Sequence, residues 1–317
     1  MENTQIVPDF LVVGAVKAGT TSLHAYLDQH PEIYLSPIKE TNFFSKADMQ
    51  FAHFRKDYGF DIAIDFDKYL RQRPLVEKHI AHVPDLRTYN ALFEDAPKKA
   101  LLGEVCNSYL ICPSSAKAIR AHNSETKIIA VLRNPTERAF SQYLMNIKEG
   151  KTSEPDFITE IKTDLALAKR GWGVSHQYHE LGQYAQQLSR FFEAFPKEQI
   201  KVLFFDDLKN DSQSFFTDLF EFLGIPSIAI DTSVKLNQAG KPRLGKLNFL
   251  LTQLGVVSFL KGIFPRSIRQ QLAKLVYTQK GLPKLQYEER AYLLEYYRDE
   301  IVRLEALLNK NLDHWKQ

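Results

Sequence analysis

Phe10-Leu11-Val12-Val13-Gly14-Ala15-Val16-Lys17-Ala18-Gly19-Thr20-Thr21-Ser22-Leu23 is the stretch that decides the fold. Phe10 to Val13 is apolar without alternation, the pattern of a strand covered on both faces. Gly14 and Gly19 permit a tight loop whose N–H groups point inward at an anion. Thr20, Thr21 and Ser22 add hydroxyls at the start of a helix predicted to run to about residue 29. The N-terminal end of such a helix attracts negative charge. A second stretch, residues 127–143, repeats the design. Ile128–Leu132 reads as a strand, Arg133 stands at its end, and a helix is predicted over 136–149. Asn134 is placed to cap that helix, Pro135 suits its first position and Glu137 completes a capping box. Ser141 then lies about two turns into the helix. Each stretch presents cations and hydroxyls where a strand stops, as a ligand with phosphate at both ends requires.

The nucleotide P-loop pattern asks for Gly, four residues, then Gly-Lys-Ser/Thr. Gly14 and Gly19 have that spacing, but Thr20 stands in the lysine position and the lysine is Lys17. The phosphate cradle is kept and the cation is re-aimed.

Lys17-Ala18-Gly19-Thr20-Thr21 resembles the 5′-phosphosulfate loop of sulfotransferases that use 3′-phosphoadenosine 5′-phosphosulfate (PAPS). Arg133 and Ser141 resemble the 3′-phosphate site of that family. Supporting matches run along the chain: Ser36 to Glu40 with Phe43-Phe44, Gly103-Glu104, Asp207-Leu208, Gly240 to Arg243 and Asp313-His314-Trp315. Their order is similar to bacterial and heparan sulfate or other carbohydrate sulfotransferases. The resemblance implies a P-loop-like, three-layer α/β fold with a central parallel sheet and a helical C-terminal part, about 246–317. It implies PAPS as donor, 3′-phosphoadenosine 5′-phosphate (PAP) as product and no metal. The 5′-phosphosulfate loop is then 14–22 and the 3′-phosphate site 127–143, within one domain spanning 1–317. Residues 46–84 are left unplaced.

Sulfuryl transfer needs in-line geometry, positioning and charge stabilisation rather than covalent work by the protein. Lys17 is the candidate to meet charge building on the departing phosphate, as a point charge on a flexible stem. Arg133 can grip a phosphate by two bonds; its bland alternative is a salt bridge to Glu137 or Asp95. Glu40, in Lys39-Glu40-Thr41-Asn42-Phe43-Phe44, matches the setting of the family's glutamate base. The phenylalanines are expected to shield it and raise its pKa, whereas without the resemblance the Lys39–Glu40 pair reads as a solvated surface pair. His79 and His82 are rival bases. Lys241 and Arg243 resemble a late loop closing over the nucleotide, or are a basic surface turn. Val105 stands where heparan-type relatives often carry lysine.

Composition agrees with a compact enzyme. The 317 residues, 44% hydrophobic and 25% charged, suffice for a large core. A net charge of +3 fits one anion pocket rather than a nucleic-acid surface. Cys106 and Cys112 read as buried thiols of a reducing compartment, not a disulfide framework or zinc site. No charged-then-apolar leader and no membrane span are evident, so a cytoplasmic setting is expected.

Strands at 10–13, 101–105, 128–132 and 200–205 alternate with helices at 20–29, 116–122, 136–149, 181–195 and 212–223, which argues for a parallel sheet. A final helix spans 287–308. Loops near 150–156 and 226–246 are the candidate boundaries. Trp172, His176, Tyr178 and His179 form an acceptor-binding rim or a packed loop. The apolar stretch 247–264, flanked by Lys246, Lys261 and Arg266, reads as a core or lid helix; the other reading is an amphipathic helix on a membrane. The expected partners are PAPS and an acceptor: a glycan, a glycolipid or a small-molecule alcohol, phenol or amine. Two rival classes stay open. A P-loop kinase would need a magnesium-binding acid, for which Asp206-Asp207 is the nearest decoy. A non-catalytic PAPS-binding module would lack a working base.

Overall fold

The computed structural model describes residues 6–233, 240–264, 271 and 275–317. Among the described residues, seven strands fall in the first two-thirds of the chain: β1 (Phe10–Gly14), β2 (Ile33–Leu35), β3 (Ile38–Glu40), β4 (Lys78–Ile80), β5 (Leu101–Val105), β6 (Lys127–Leu132) and β7 (Ile200–Phe204). Five of them form one sheet in the order β2-β5-β1-β6-β7, and every neighbouring pair is parallel. β1 is buried at all its residues and β6 at all but Lys127. That is what continuous apolar runs in the middle of a helix-covered parallel sheet require. The expected α/β fold with a central parallel sheet is therefore present.

The chain divides into two compact units. The first comprises 1–49, 62–133 and 184–236 and contains the whole sheet. Its helices include Thr20–Leu27, Ser115–His122, Tyr184–Ala194, Phe205–Asn210 and Ser212–Leu223. β3 and β4 make a separate parallel pair, with Glu40 opposite Ile80. The second unit comprises 50–61, 134–183 and 237–317. Its longest helix is Tyr287–Leu308, opened by a capping box of Gln286 and Glu289. Leu293, Tyr297, Ile301 and Leu304 form its buried stripe, the spacing of one helix face. The Tyr297 hydroxyl lies 3.0 Å from the carbonyls of both Tyr178 and His179. A short antiparallel pair, β8 (Lys241–Pro242) and β9 (Tyr277–Thr278), belongs to the same unit.

Several expectations are corrected. The helix predicted over 181–195 is Tyr184–Ala194, preceded by a 3-10 turn at Glu180–Gly182. Residues 150–156 are no boundary, since they lie within the second unit. The Asn134 side chain does accept from the N–H groups of Thr136 and Glu137. The stretch 46–84, unreadable beforehand, holds short helices at Lys56–Ile62 and Phe66–Leu70 and the strand β4. Each is a turn or two long, too short to show a period. The apolar stretch 247–264 is not a core helix. It forms Gly245–Gln253 and Val256–Ile263, and Leu247, Leu250, Phe259 and Ile263 are exposed. Arg266, Lys261's side chain and 237–239 lie outside the described residues.

Register in the sheet's centre depends on one missing side chain. Gly103 of β5 pairs with Phe10 of β1, and a Cβ there would sit 2.2 Å from the Phe10 ring. The ring fills the space a side chain would take. Gly103→Ala is expected to lower the unfolding free energy by about 1–3 kcal/mol through overpacking, measured by urea denaturation. An unchanged midpoint would mean the Phe10 ring yields freely.

Candidate functional site

The loop after β1 is fixed from two sides. The Ala15 N–H donates to the Val131 carbonyl of β6 at 2.8 Å, and Ala18 closes a turn back to Ala15 at 3.1 Å. Gly19 takes φ +90° as the N-cap of helix Thr20–Leu27, with no side-chain cap. The first N–H groups of a helix have no partner within it, so this end is suited to an anion. Lys17 itself takes φ +65°, left-handed backbone that side-chain-bearing residues rarely adopt. Ala18 and Thr20 are buried, while Lys17, Thr21 and Ser22 are half-buried.

Arg133 follows β6 directly. Its Nη1 donates to the Lys17 carbonyl at 3.4 Å, and its guanidinium carbon lies 4.9 Å from the centre of the Phe205 ring. Phe205 follows β7 directly. A Cβ on Gly19 would stand 2.8 Å from the same ring. Phe205 therefore demands glycine in the loop and supports the arginine by a cation–π contact. Tyr184 donates to the Arg133 carbonyl at 2.9 Å, fixing the strand end from behind.

Glu40 ends β3 and is buried. Lys39 Nζ reaches its Oε1 at 2.7 Å, and Asn107 Nδ2 donates to the same oxygen at 2.7 Å. The pair is thus not a solvated surface pair. Burial alone would raise the Glu40 pKa. The Lys39 ammonium, His79 and the hydrogen bonds from Lys39 and Asn107 together outweigh burial and hold it below the ordinary value. The expectation that the phenylalanines raise it is corrected. Phe43 stacks on Tyr89 at 4.3 Å and Phe44 packs on Tyr109 and His122. His79 sits exposed on β4, where its charge reaches Glu40; burial pushes His82 down to about 4.

The loop, Arg133, Phe205 and Asn107 stand at the carboxyl ends of β1, β6, β7 and β5, four strands adjacent in the sheet. Ligands of open parallel sheets bind at that edge. Asn107 ties the Glu40 carboxylate to it. Ser141, Lys241 and Arg243 belong to the second unit. Ser141 is half-buried on helix Pro135–Lys148, Lys241 Nζ donates to the Gly281 carbonyl at 2.5 Å, and Arg243 is exposed. The rim reading of residues 172–180 is corrected for its centre. Tyr178 and His179 are buried, His179 stacking on Tyr296 at 3.8 Å, and Trp172 Nε1 donates to Tyr58 at 2.7 Å.

Asn107 and Phe205 were given no site role in the sequence reading, and Glu104 entered it only as part of the Gly103-Glu104 family match. The sequence reading kept Phe205 as the last residue of a strand over 200–205, so the rule that selected Arg133, the first residue past a strand, passed over it; the strand in fact ends at Phe204. Glu104 is wholly buried at the end of β5. Tyr89 and Tyr109 donate to it at 2.6 and 2.7 Å, and Thr41 also donates. Burial nonetheless lifts its pKa to about 7 against those three hydrogen bonds. Cys106 and Cys112 are buried free thiols, as expected.

A glycine loop of P-loop type on a parallel sheet, with an arginine at the end of the next strand, defines a P-loop-like α/β protein. The profile of the sulfotransferase family matches residues 8–229. Human bifunctional heparan sulfate N-deacetylase/N-sulfotransferase 3 is 24% identical over 310 residues, covering 96% of this chain and 30% of that protein. Mouse carbohydrate sulfotransferase 15 is 25% identical over 251 residues, covering 69% of this chain and 44% of that protein. The crystal structure of a sulfotransferase from Alicyclobacillus acidocaldarius superposes with a TM-score of 0.68 at 24% identity, covering 98% of this chain and all of that one; that likeness is one of fold. The chain belongs to the sulfotransferase family. It spans about 30% of the length of the heparan relative and under half of the carbohydrate one.

Glu104 gives a stability test. Its folded pKa, about 7, exceeds the ordinary 4.5. The folded state therefore binds the extra proton, and stability present below pH 4.5 is lost as pH rises through 7. Relative to Glu104→Gln, the wild type is expected to lose about 3 kcal/mol across that window. Denaturation series at stepped pH would show it; parallel curves for the two proteins would refute the shift.

Proposed function

We propose that this chain is a PAPS-dependent sulfotransferase that acts as one catalytic domain without a metal, the family match over 8–229 running through segments of both units. The observation that carries the reading is the shared carboxyl edge. The Lys17–Ser22 loop and Arg133 meet over Phe205. The loop and Lys17 take the 5′-phosphosulfate. Arg133 takes the 3′-phosphate; Ser141, Lys241 and Arg243, of the second unit, are kept as candidate anion contacts on the family resemblance alone. PAP is the product.

The reaction moves one sulfuryl group in line. The acceptor oxygen bonds to sulfur as the bond from sulfur to the bridging phosphate oxygen breaks, and the electron pair leaves with the phosphate. Lys17 meets that charge. The acceptor's proton passes to Glu40. A carboxylate with a lowered pKa is a weak base, so its contribution rests on being ionised and held by Lys39 and Asn107. In a loose transition state little proton transfer is needed before the leaving bond breaks.

The acceptor is proposed as a hydroxyl on a carbohydrate or glycolipid, in keeping with the carbohydrate relative. The N-sulfotransferase relatives favour a second reading, a sugar amine. Identifying the sulfated atom in the product decides between them. The buried free thiols suit a cytoplasmic setting.

Calorimetric titration with PAP tests the donor, with AMP and magnesium-ATP as controls. Binding that requires the 3′-phosphate, ignores magnesium and falls by more than about tenfold in Arg133→Ala is expected. Equal affinity for AMP, or preference for magnesium-ATP, would sink the reading in favour of a kinase. Lys39→Met removes the ammonium but not the burial, so the Glu40 pKa should rise. The acid limb of kcat/KM should then move to higher pH, with Lys39→Arg close to wild type. An unmoved limb would remove Glu40 from the base role.

A further inference from the structure

Helix Gly245–Gln253 is turned inside out. Two of its polar residues face inward: Asn248 and Thr252 are 9% and 7% exposed. Asn248 Nδ2 donates to the Lys148 carbonyl and Thr252 Oγ1 to the Glu149 carbonyl, each at 3.2 Å. Those carbonyls lie at the C-terminal end of the helix Pro135–Lys148, where a helix runs out of its own N–H donors. Gly150 seals the seam, since a Cβ there would meet Thr252 Oγ1 at 2.5 Å. With the polar face spent, leucines point outward. Leu250 and Leu254 are 53% and 65% exposed. The next helix, Val256–Ile263, continues the face with Phe259 at 68% and Ile263 at 57%. Scattered exposed leucines are ordinary; a run on consecutive elements marks an interaction surface.

Charge identifies the occupant. From Thr232 to Tyr287 the sequence carries ten lysines and arginines and not one aspartate or glutamate, although the whole chain is only +3. Lys246, Lys280 and Lys284 are exposed. A second copy of the chain would bring the same positive charge to the contact, which is costly. A negatively charged bilayer surface offers both an apolar boundary and phosphates. No described helix is long and apolar enough to cross a membrane, and helices of nine and eight residues suit lying in its plane.

We propose that this face docks flat on an anionic lipid bilayer, Leu250, Leu254 and Phe259 entering the acyl boundary and Lys246, Lys280 and Lys284 meeting headgroup phosphates. The inference stands apart from the donor chemistry, because none of these six residues is assigned to the nucleotide.

Co-sedimentation with large vesicles tests it, using phosphatidylcholine alone and phosphatidylcholine with about 30 mol % phosphatidylserine. The chain should partition onto the phosphatidylserine vesicles, with binding weakened by raising salt from about 0.1 M to 0.5 M. Leu250→Ser with Phe259→Ser should lose about tenfold or more in partitioning at unchanged circular dichroism. Lys246→Gln with Lys280→Gln and Lys284→Gln should lose a similar factor and flatten the salt dependence. These are surface substitutions, and the two variants fail for different reasons, so misfolding of one leaves the other decisive. No binding by folded wild type, or equal binding to both vesicle types, overturns the proposal. So does a concentration-dependent dimer in sedimentation equilibrium that the leucine–phenylalanine variant abolishes while vesicles stay bare.

Discussion

The ring of Phe205 is the constraint on which the candidate site depends. It denies Gly19 a side chain and gives Arg133 a surface to lie on. The first effect shapes the loop, because only glycine tolerates both that contact and the positive φ. The second positions the cation, because a guanidinium over an aromatic face loses part of its freedom before any ligand arrives. Both follow from strand order. β7 lies beside β6 and β6 beside β1, so residues from three distant parts of the sequence end at neighbouring points. The buried apolar runs of β1 and β6 hold this order, and Phe10 packed into the gap over Gly103 fixes its register against β5.

Two buried glutamates show how the same burial leads to opposite chemistry. Glu40 and Glu104 both lose water, which pushes both pKa values up. Glu40 has an ammonium 2.7 Å away and ends below its ordinary value. Glu104 accepts from neutral donors, three hydroxyls and the Thr41 backbone, and ends near 7. A full countercharge outweighs desolvation where neutral dipoles do not. The consequence divides their roles. Glu40 stays ionised at neutral pH and is available to take a proton. Glu104 sits near its midpoint there, bound into a tyrosine–threonine network that ties β5 to the chain following β3.

What the sequence revealed was what short range determines. The glycine loop, the Asn134 cap and the strand ends that carry Lys17 and Arg133 were legible because each depends on residues a few positions apart. Phe205, Asn107 and the Lys39–Glu40 burial were not. Phe205 matters only through strand order, Asn107 only through the approach of β3 to β5, and Lys39 reads as a surface cation until its neighbours are known. The sign of the Glu40 shift was misread for the same reason. Phe43 and Phe44 lie close in sequence, yet they pack on Tyr89 and Tyr109, and the group that decides the pKa is the adjacent lysine. Composition failed at 247–264, where hydrophobicity was taken as a sign of burial.

That failure has a physical cause. Packing normally turns the apolar face of a helix inward because water is excluded there. The inward face of Gly245–Gln253 instead meets the carbonyls of Lys148 and Glu149 at the end of another helix. Leaving a buried carbonyl without a donor costs about 1–3 kcal/mol, comparable to the gain from burying one leucine, about 1.5–3 kcal/mol. Asn248 and Thr252 satisfy two such groups, so the polar face prevails in the seam. Nothing in the seam requires leucine on the opposite side, since glutamine or lysine there would leave both hydrogen bonds in place and raise helix solubility. The outward leucines are therefore independent of the packing that orients the helix. Departure from local pattern without a structural compensation is what a binding surface produces, and its apolar character, set in a segment stripped of carboxylates, specifies an occupant that is both greasy and negative.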